Sequence, residues 1–438
     1  MPNLKGRLRR WKGLWYLYQQ KREENKDSRI FAWEGLLAAM VLNLGTAFTS
    51  MYGTRLGANS TEIGLLASLP QLLAMFFLIP GTLLAGRSRH TRRFVEIYAL
   101  LTGIFYGLAF LAPVVKSIAI LLLILASSMG NAFLNLYNST WQSYFSNTIE
   151  LDKRNRYYSE RTTVTFVAAT LVLLLSGLVL GSTQDPEKRL LLYQLCYLLT
   201  LVLGVIQYFV IRRMPTAEVS PSGTRVKDLV EAAKKLFGDK NFRRFYAIII
   251  LFHAGWYYGW TLFFLNEVHY VGADESWIGY IFVTQNIVQI LTMRYWTRVS
   301  EHKGPEKALI AGMIGLVTNP FLSAVASYLP EGLKLPGLLL LNLIMAASFG
   351  GWQLALLQCT LKEMPKENSR INLALFNSSV LAANAITQML SVSVYEALGS
   401  DHRAMTISLS ISGGLRLIAT ILYIIHVKQQ SKLAKNAA

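Results

Sequence analysis

Leu56-Gly57-Ala58-Asn59-Ser60-Thr61-Glu62-Ile63-Gly64 and Val271-Gly272-Ala273-Asp274-Glu275-Ser276-Trp277-Ile278-Gly279 are two versions of one short turn. Gly57 matches Gly272, Ala58 matches Ala273, Ile63 matches Ile278 and Gly64 matches Gly279, all at an offset of 215 in a chain of 438 residues. On either side of each turn the chain runs into apolar blocks. Twelve can be marked, at 31–52, 62–86, 94–114, 117–141, 162–182, 189–211, 245–266, 277–296, 307–328, 335–360, 371–396 and 403–426. About 20 apolar residues at 1.5 Å each cross a hydrocarbon core of about 30 Å. A helix is the one single-segment structure that satisfies its own backbone in lipid. Arg156 after the fourth block and Arg370 after the tenth repeat at an offset of 214. The expected fold is therefore an all-α membrane protein of about twelve transmembrane helices, built as two pseudo-symmetric six-helix bundles. The parts are a basic amphipathic arm at 1–29, a first bundle at 30–212, a central linker at 213–243, a second bundle at 244–427 and a tail at 428–438.

The formal charge of +18 invites a nucleic-acid reading, which the positions of the charges exclude. Of the 43 Lys and Arg, 36 fall in the arm, the tail and the loops of one side, and 6 fall in the loops of the other. Arg416 lies inside a block. Basic residues concentrate on the cytoplasmic side of a membrane. Both termini are thus expected in the cytoplasm of a multi-pass inner-membrane protein, with anionic lipid against the basic face. In the arm, Leu4, Leu8, Trp11, Trp15 and Tyr18 form a helical stripe among Lys and Arg, which predicts a helix lying in the headgroup plane. Cys196 and Cys359 both lie in apolar blocks and have no metal-ligand spacing.

Six spans plus six, both termini inside, a long basic central loop and the Leu-Gly-Ala…Ile-Gly turn resemble the major facilitator superfamily. The resemblance covers nearly all of the chain beyond the arm. The region between the second and third spans carries the leading Gly81 and the basic cluster Arg87, Arg89, Arg92 and Arg93 of that family's signature. Ala85 and Gly86 stand where its acidic residue would be. The resemblance implies a secondary transporter working by alternating access. Spans one, two, four, five, seven, eight, ten and eleven would line the cavity, and spans three, six, nine and twelve would support it. It also implies that the charged stretch Asp152–Arg161, read as a cytoplasmic loop, braces one state through ion pairs between the bundles.

Polar side chains inside a span should face a cavity or another helix. Ser127, Asn131, Asn135, Asn138 and Gln142 make one continuous face of span four. Asn377, Asn384, Gln388 and Ser391 do so on span eleven, Gln285 and Gln289 on span eight, and Asn43, Thr46 and Ser50 on span one. Span seven carries His253, Trp256, Tyr257 and Trp260 at i, i+3, i+4 and i+7. The repeat offset, by contrast, maps Asn43 and Thr46 onto Tyr258 and Thr261, a face about 100° away. The composition stripe is the preferred wall. Asn43, Thr46, Asn131, Asn135, Asn138, His253, Trp256, Tyr257, Trp260, Gln285, Gln289, Asn377, Asn384 and Gln388 are the candidate substrate-binding residues. Glu34, Arg87, Arg156, Arg161, Arg370 and Arg416 are the candidates for coupling or gating.

No GxxxxGK[ST] phosphate loop, HExxH, paired CxxC or GxSxG element occurs, so no enzymatic activity, metal or cofactor is expected. Amide faces and an aromatic wall suit a small organic solute, neutral or amphiphilic, carried by a monomer. The alternatives are a lipid or lysolipid flippase and a non-transporting membrane assembly factor on the same scaffold.

Overall fold

The computed structural model describes residues 26–216, 226–365 and 369–437. The predicted stripe of the basic arm lies outside them. Eleven of the described helices are long and apolar enough to span a membrane. In the first bundle span one is Lys26–Arg55, span two Ser60–Gly86 and span three Thr91–Leu108. Spans four, five and six are Ala119–Thr148, Leu151–Gly181 and Pro186–Ile211. In the second bundle span seven is Lys240–Leu265, span nine Pro305–Ser327, span ten Glu331–Glu363, span eleven Ser369–Ala397 and span twelve His402–Ala437. Glu275–Lys303, span eight, is as long as the others, at 29 residues. It is too polar to qualify by composition, because it carries Glu275, Gln285, Gln289, Arg294 and Arg298.

The two matched turns fold alike. Gly57 and Gly272 take φ of +90° and +81°, a conformation open to glycine and costly for other residues. Two residues on, Asn59 and Asp274 cap the next helix, accepting hydrogen bonds from the Glu62 and Trp277 amides. Each turn thus reverses the chain between two spans within a few residues.

Span three packs on spans four and six, and span twelve packs on spans seven and nine. Gly103 meets Gly204 of span six so closely that a Cβ on Gly103 would lie 2.6 Å from the Gly204 Cα. The bundles meet through spans two and eleven and through spans five and eight. We call the end where span one begins and span twelve finishes the terminal face, and the opposite end the far face.

One expectation changes. The stretch Asp152–Arg161 is the opening of span five's helix, not a loop, with Arg156 and Glu160 paired at 2.9 Å one turn apart. Apolar content alone cannot show a transmembrane helix continuing beyond the lipid. The central linker contains the helix Val226–Gly238. Its Leu236 is buried, and Phe237 sits edge-on to Tyr246 of span seven.

Candidate functional site

At the far face, close packing brings the bundles together. A Cβ on Gly279 of span eight would lie 3.1 Å from the Gly177 Cα of span five, and one on Gly64 of span two 3.0 Å from Val392 Cγ2 of span eleven. Residues 64 and 279, and 177 and 392, are each 215 apart. Ser276 presses on Gly181 across the first seam, and the Thr61 hydroxyl donates to Glu396 at 2.7 Å across the second. Residues 61 and 276, and 181 and 396, are again 215 apart. The two seams are therefore one contact used twice, and the repeat extends into spans five and eleven.

One group breaks this symmetry. Glu275, 0% exposed at the start of span eight, is the counterpart of Ser60. Arg55 of span one grips it bidentately, Nε to Oε1 at 2.8 Å and Nη2 to Oε2 at 3.0 Å. The Tyr193 hydroxyl of span six donates to it at 3.2 Å, and the Arg189 guanidinium lies 3.9 Å away. A bidentate, charge-assisted pair of this kind is strong and directional. It ties the bundles together on the far face.

Below these contacts lies a cavity of about 160 Å³ between the bundles. Span one contributes Thr46, Thr49 and Ser50, span two Ile63, Leu66, Ala67, Pro70 and Gln71, span three Tyr106, and span four Ser127 and Asn131. Span seven contributes Trp260, Thr261 and Phe264. No lining side chain carries a formal charge. Span one breaks its helix at Ala47–Phe48 beside the cavity, and the Thr49 hydroxyl donates to the Gly45 carbonyl there.

Of the predicted binding residues, Thr46, Asn131 and Trp260 line this cavity. Asn135 stands behind it and donates to Asn131 Oδ1 at 3.0 Å, while Asn138 is exposed towards the terminal face. Asn43 turns its amide to the Ala39 carbonyl of its own helix at 2.7 Å. His253 and Trp256 leave the wall. Trp256 stacks on Trp352 at 5.7 Å, His253 packs edge-on to the same ring, and Tyr257 lies over His253. These large rings reach their best contacts against span ten, so the stripe turns into the core of the second bundle. Gln285 donates to Asn342 of span ten, and Gln289 lies half-buried on the same helix. Asn384 and Gln388 are buried against span seven, where Thr261 reaches Gln388 at 3.5 Å. Asn377 is exposed.

Sequence reasoning missed Gln71, Tyr106 and Thr261 in the cavity, and Arg55, Arg189 and Glu275 above it. The repeat offset marked Thr261 as the counterpart of Thr46. Glu275 stood inside the matched turn as a carboxylate opposite a serine. Tyr106 had no signal, since its span was expected only to support; it reaches inward because Gly45 and Gly130 leave room for its ring.

The gating candidates separate. Glu34, 0% exposed, is paired with Arg161 of span five at 2.7 Å and accepts from Tyr137 and from Gln207, the latter at 3.3 Å. The Arg161 guanidinium also lies 3.9 Å over the Trp141 ring. This pair joins spans of one bundle, so Arg161 does not bridge the bundles as expected: from span five, Glu34 is the carboxylate within its reach. Arg156 and Arg87 are exposed, and the Arg370 side chain is not among those described. Arg416, 0% exposed, donates to the Leu316 carbonyl at 2.8 Å and to the Gly255 and Trp256 carbonyls at 3.3 Å. It also lies 4.8 Å over the Trp256 ring, which makes it a buried brace among spans seven, nine and twelve.

A family model described as Major Facilitator Superfamily matches residues 33–424. The chain belongs to the Major Facilitator Superfamily. Solved structures of this superfamily fold share the architecture at low identity. A nucleoside transporter, NupG, is 14% identical, with 92% of this chain and 99% of that one covered and a TM-score of 0.67. The xylose transporter XylE from E. coli, in a partially occluded inward open conformation, is 13% identical, with 91% and 98% covered and a TM-score of 0.64. A POT family transporter bound to a thioalcohol-conjugated peptide is 13% identical, with 93% and 96% covered and a TM-score of 0.69. No curated protein sequence matches the chain. As a superfamily member it is a multi-pass membrane transporter; its two matched seams are the internal repeat of that fold.

Proposed function

We propose that this superfamily member is a secondary transporter that moves a small organic solute, neutral or amphiphilic, across the inner membrane by alternating access. The observation that carries the reading is the position of the cavity. It lies between two bundles that are clasped on its far side by matched glycine contacts and by the Arg55–Glu275 pair. The basic terminal face is cytoplasmic by the positive-inside rule, so the clasped face is outside and the conformation is inward-facing. A transporter needs such a site near the axis between its repeats. The nucleosides and xylose named for two similar folds are uncharged, as a cavity without ionised side chains requires. The Glu34–Arg161 pair braces spans one and five within the first bundle, and Arg416 does the same in the second.

The test is a thermal-shift screen of solutes on the purified protein, followed by flux into liposomes for each hit. A solute that stabilises the protein should also be transported, and Asn131→Ala should weaken both effects. Trp256→Phe, placed in the core, should change transport affinity little. A protein that is stabilised by solutes but moves none of them would refute the transport reading.

A further inference from the structure

The two bundles contribute opposite chemistry to the cavity. From the first bundle come hydroxyls and amides. The Thr46 and Ser127 hydroxyls donate to carbonyls of their own helices at 2.8 and 3.1 Å, which leaves their oxygen lone pairs as acceptors. Gln71 makes no hydrogen bond among the described residues. The buried Tyr106 hydroxyl faces the Asn131 side chain. The second bundle instead contributes aromatic side chains. Trp260 lies in the wall of the cavity, and Phe264 follows it one turn on.

We infer that the solute is an uncharged molecule with a flat, unsaturated ring and hydrogen-bonding groups at one end. The ring stacks on Trp260 of the second bundle. The polar end meets Gln71 and Asn131 of the first, with the Thr46 and Ser127 oxygens as further acceptors. A solute held in this way touches both bundles at once and ties its own binding to their relative position. Charge is excluded because no ionised side chain lines the site to offset its desolvation. The inference rests on the transport reading and narrows it to a substrate class.

The experiment uses matched triads of probes on the full-length protein: uridine, 5,6-dihydrouridine and uridine 5′-monophosphate, then benzamide, cyclohexanecarboxamide and benzoate. Within each triad the second member loses the flat ring and the third gains a charge. Binding is read by thermal shift and by competition, and flux by uptake into liposomes. The flat uncharged member of at least one triad should stabilise the protein, with its saturated relative about tenfold weaker and its anionic relative without effect. Trp260→Leu should remove the difference between flat and saturated members, and Trp260→Phe should keep most of it. Asn131→Ala should weaken both members equally. Saturated or anionic members that match the flat one overturn the inference, as does a screen in which neither flat member stabilises the protein. Failure of the transport reading looks different: a flat probe then binds with the expected preference and is not moved.

Discussion

Arg416 and Glu34 are both buried charges within spans, and they are satisfied in different ways. Arg416 faces backbone carbonyls and a Trp ring, while Glu34 faces a guanidinium, a phenol and an amide. Removing one partner of a buried ion pair costs about 3–5 kcal/mol, because the other charge stays behind in low dielectric. Glu34→Gln should therefore lower stability by about that amount in detergent unfolding. The double variant Glu34→Gln/Arg161→Gln should recover a large part of the loss. A double variant as unstable as the single one would show that the pair is not what holds spans one and five together. Arg416→Met removes donors to the Gly255 and Trp256 carbonyls, which keep their helical bonds, and to the Leu316 carbonyl, whose helical donor is missing because Pro320 has no N–H; the expected loss is about 1–3 kcal/mol. Solute affinity should stay unchanged in flux measurements.

At the scale of the elements, the seam between spans five and eight depends on glycine. A side chain on Gly177 would meet backbone, the Glu275 carbonyl and the Gly279 Cα, at 3.0 Å. Backbone cannot turn aside as a rotamer can, so the helices must separate. Gly177→Leu should open the far face. Glu275→Gln should act in the same direction, because it leaves Arg55 and Arg189 facing a neutral group; truncating such a pair costs about 2–5 kcal/mol. Both effects can be read as thiol labelling of Ser50→Cys by an impermeant reagent from the far side, in a background lacking Cys196 and Cys359. Labelling should rise at least about tenfold. Gly103→Leu, which clashes with Gly204 inside the first bundle, should lower stability without raising labelling. Equal labelling in all three variants would disconnect the seam from the gate.

At the scale of the molecule, the bundles must part at the far face in each cycle. Gly64 and Val392 offer a way to hold them: a Cβ on Gly64 would lie 3.4 Å from the Val392 Cβ, near the roughly 3.5–4.5 Å that a disulfide spans. Gly64→Cys/Val392→Cys, again without the native cysteines, should lose flux on oxidation and regain it on reduction. Binding measured from the terminal side should persist. Flux that continues through the cross-linked protein would exclude alternating access with this seam as its outer gate.

The helices, their number and the repeat were all legible in the residues, because lipid length and the glycine turns at 57 and 272 leave one way to read them. Span eight was legible as the apolar block 277–296, although the helix as a whole carries more polar and charged residues than the others. Thr46, Asn131 and Trp260 were found because a polar or aromatic side chain in a span is costly unless it is used. What only the tertiary structure decided is which way each helix turns. Span seven offered two faces; the packing of His253 and Trp256 on Trp352 put that end of the stripe in the core and left Trp260 and Thr261 to the cavity. Glu34 found Arg161 across 127 residues, and Arg55 found Glu275 across 220. A one-dimensional pattern records how often a residue type recurs along a helix. Which partner it meets depends on the rotation and contact of helices far apart in the chain, and close packing alone fixes those.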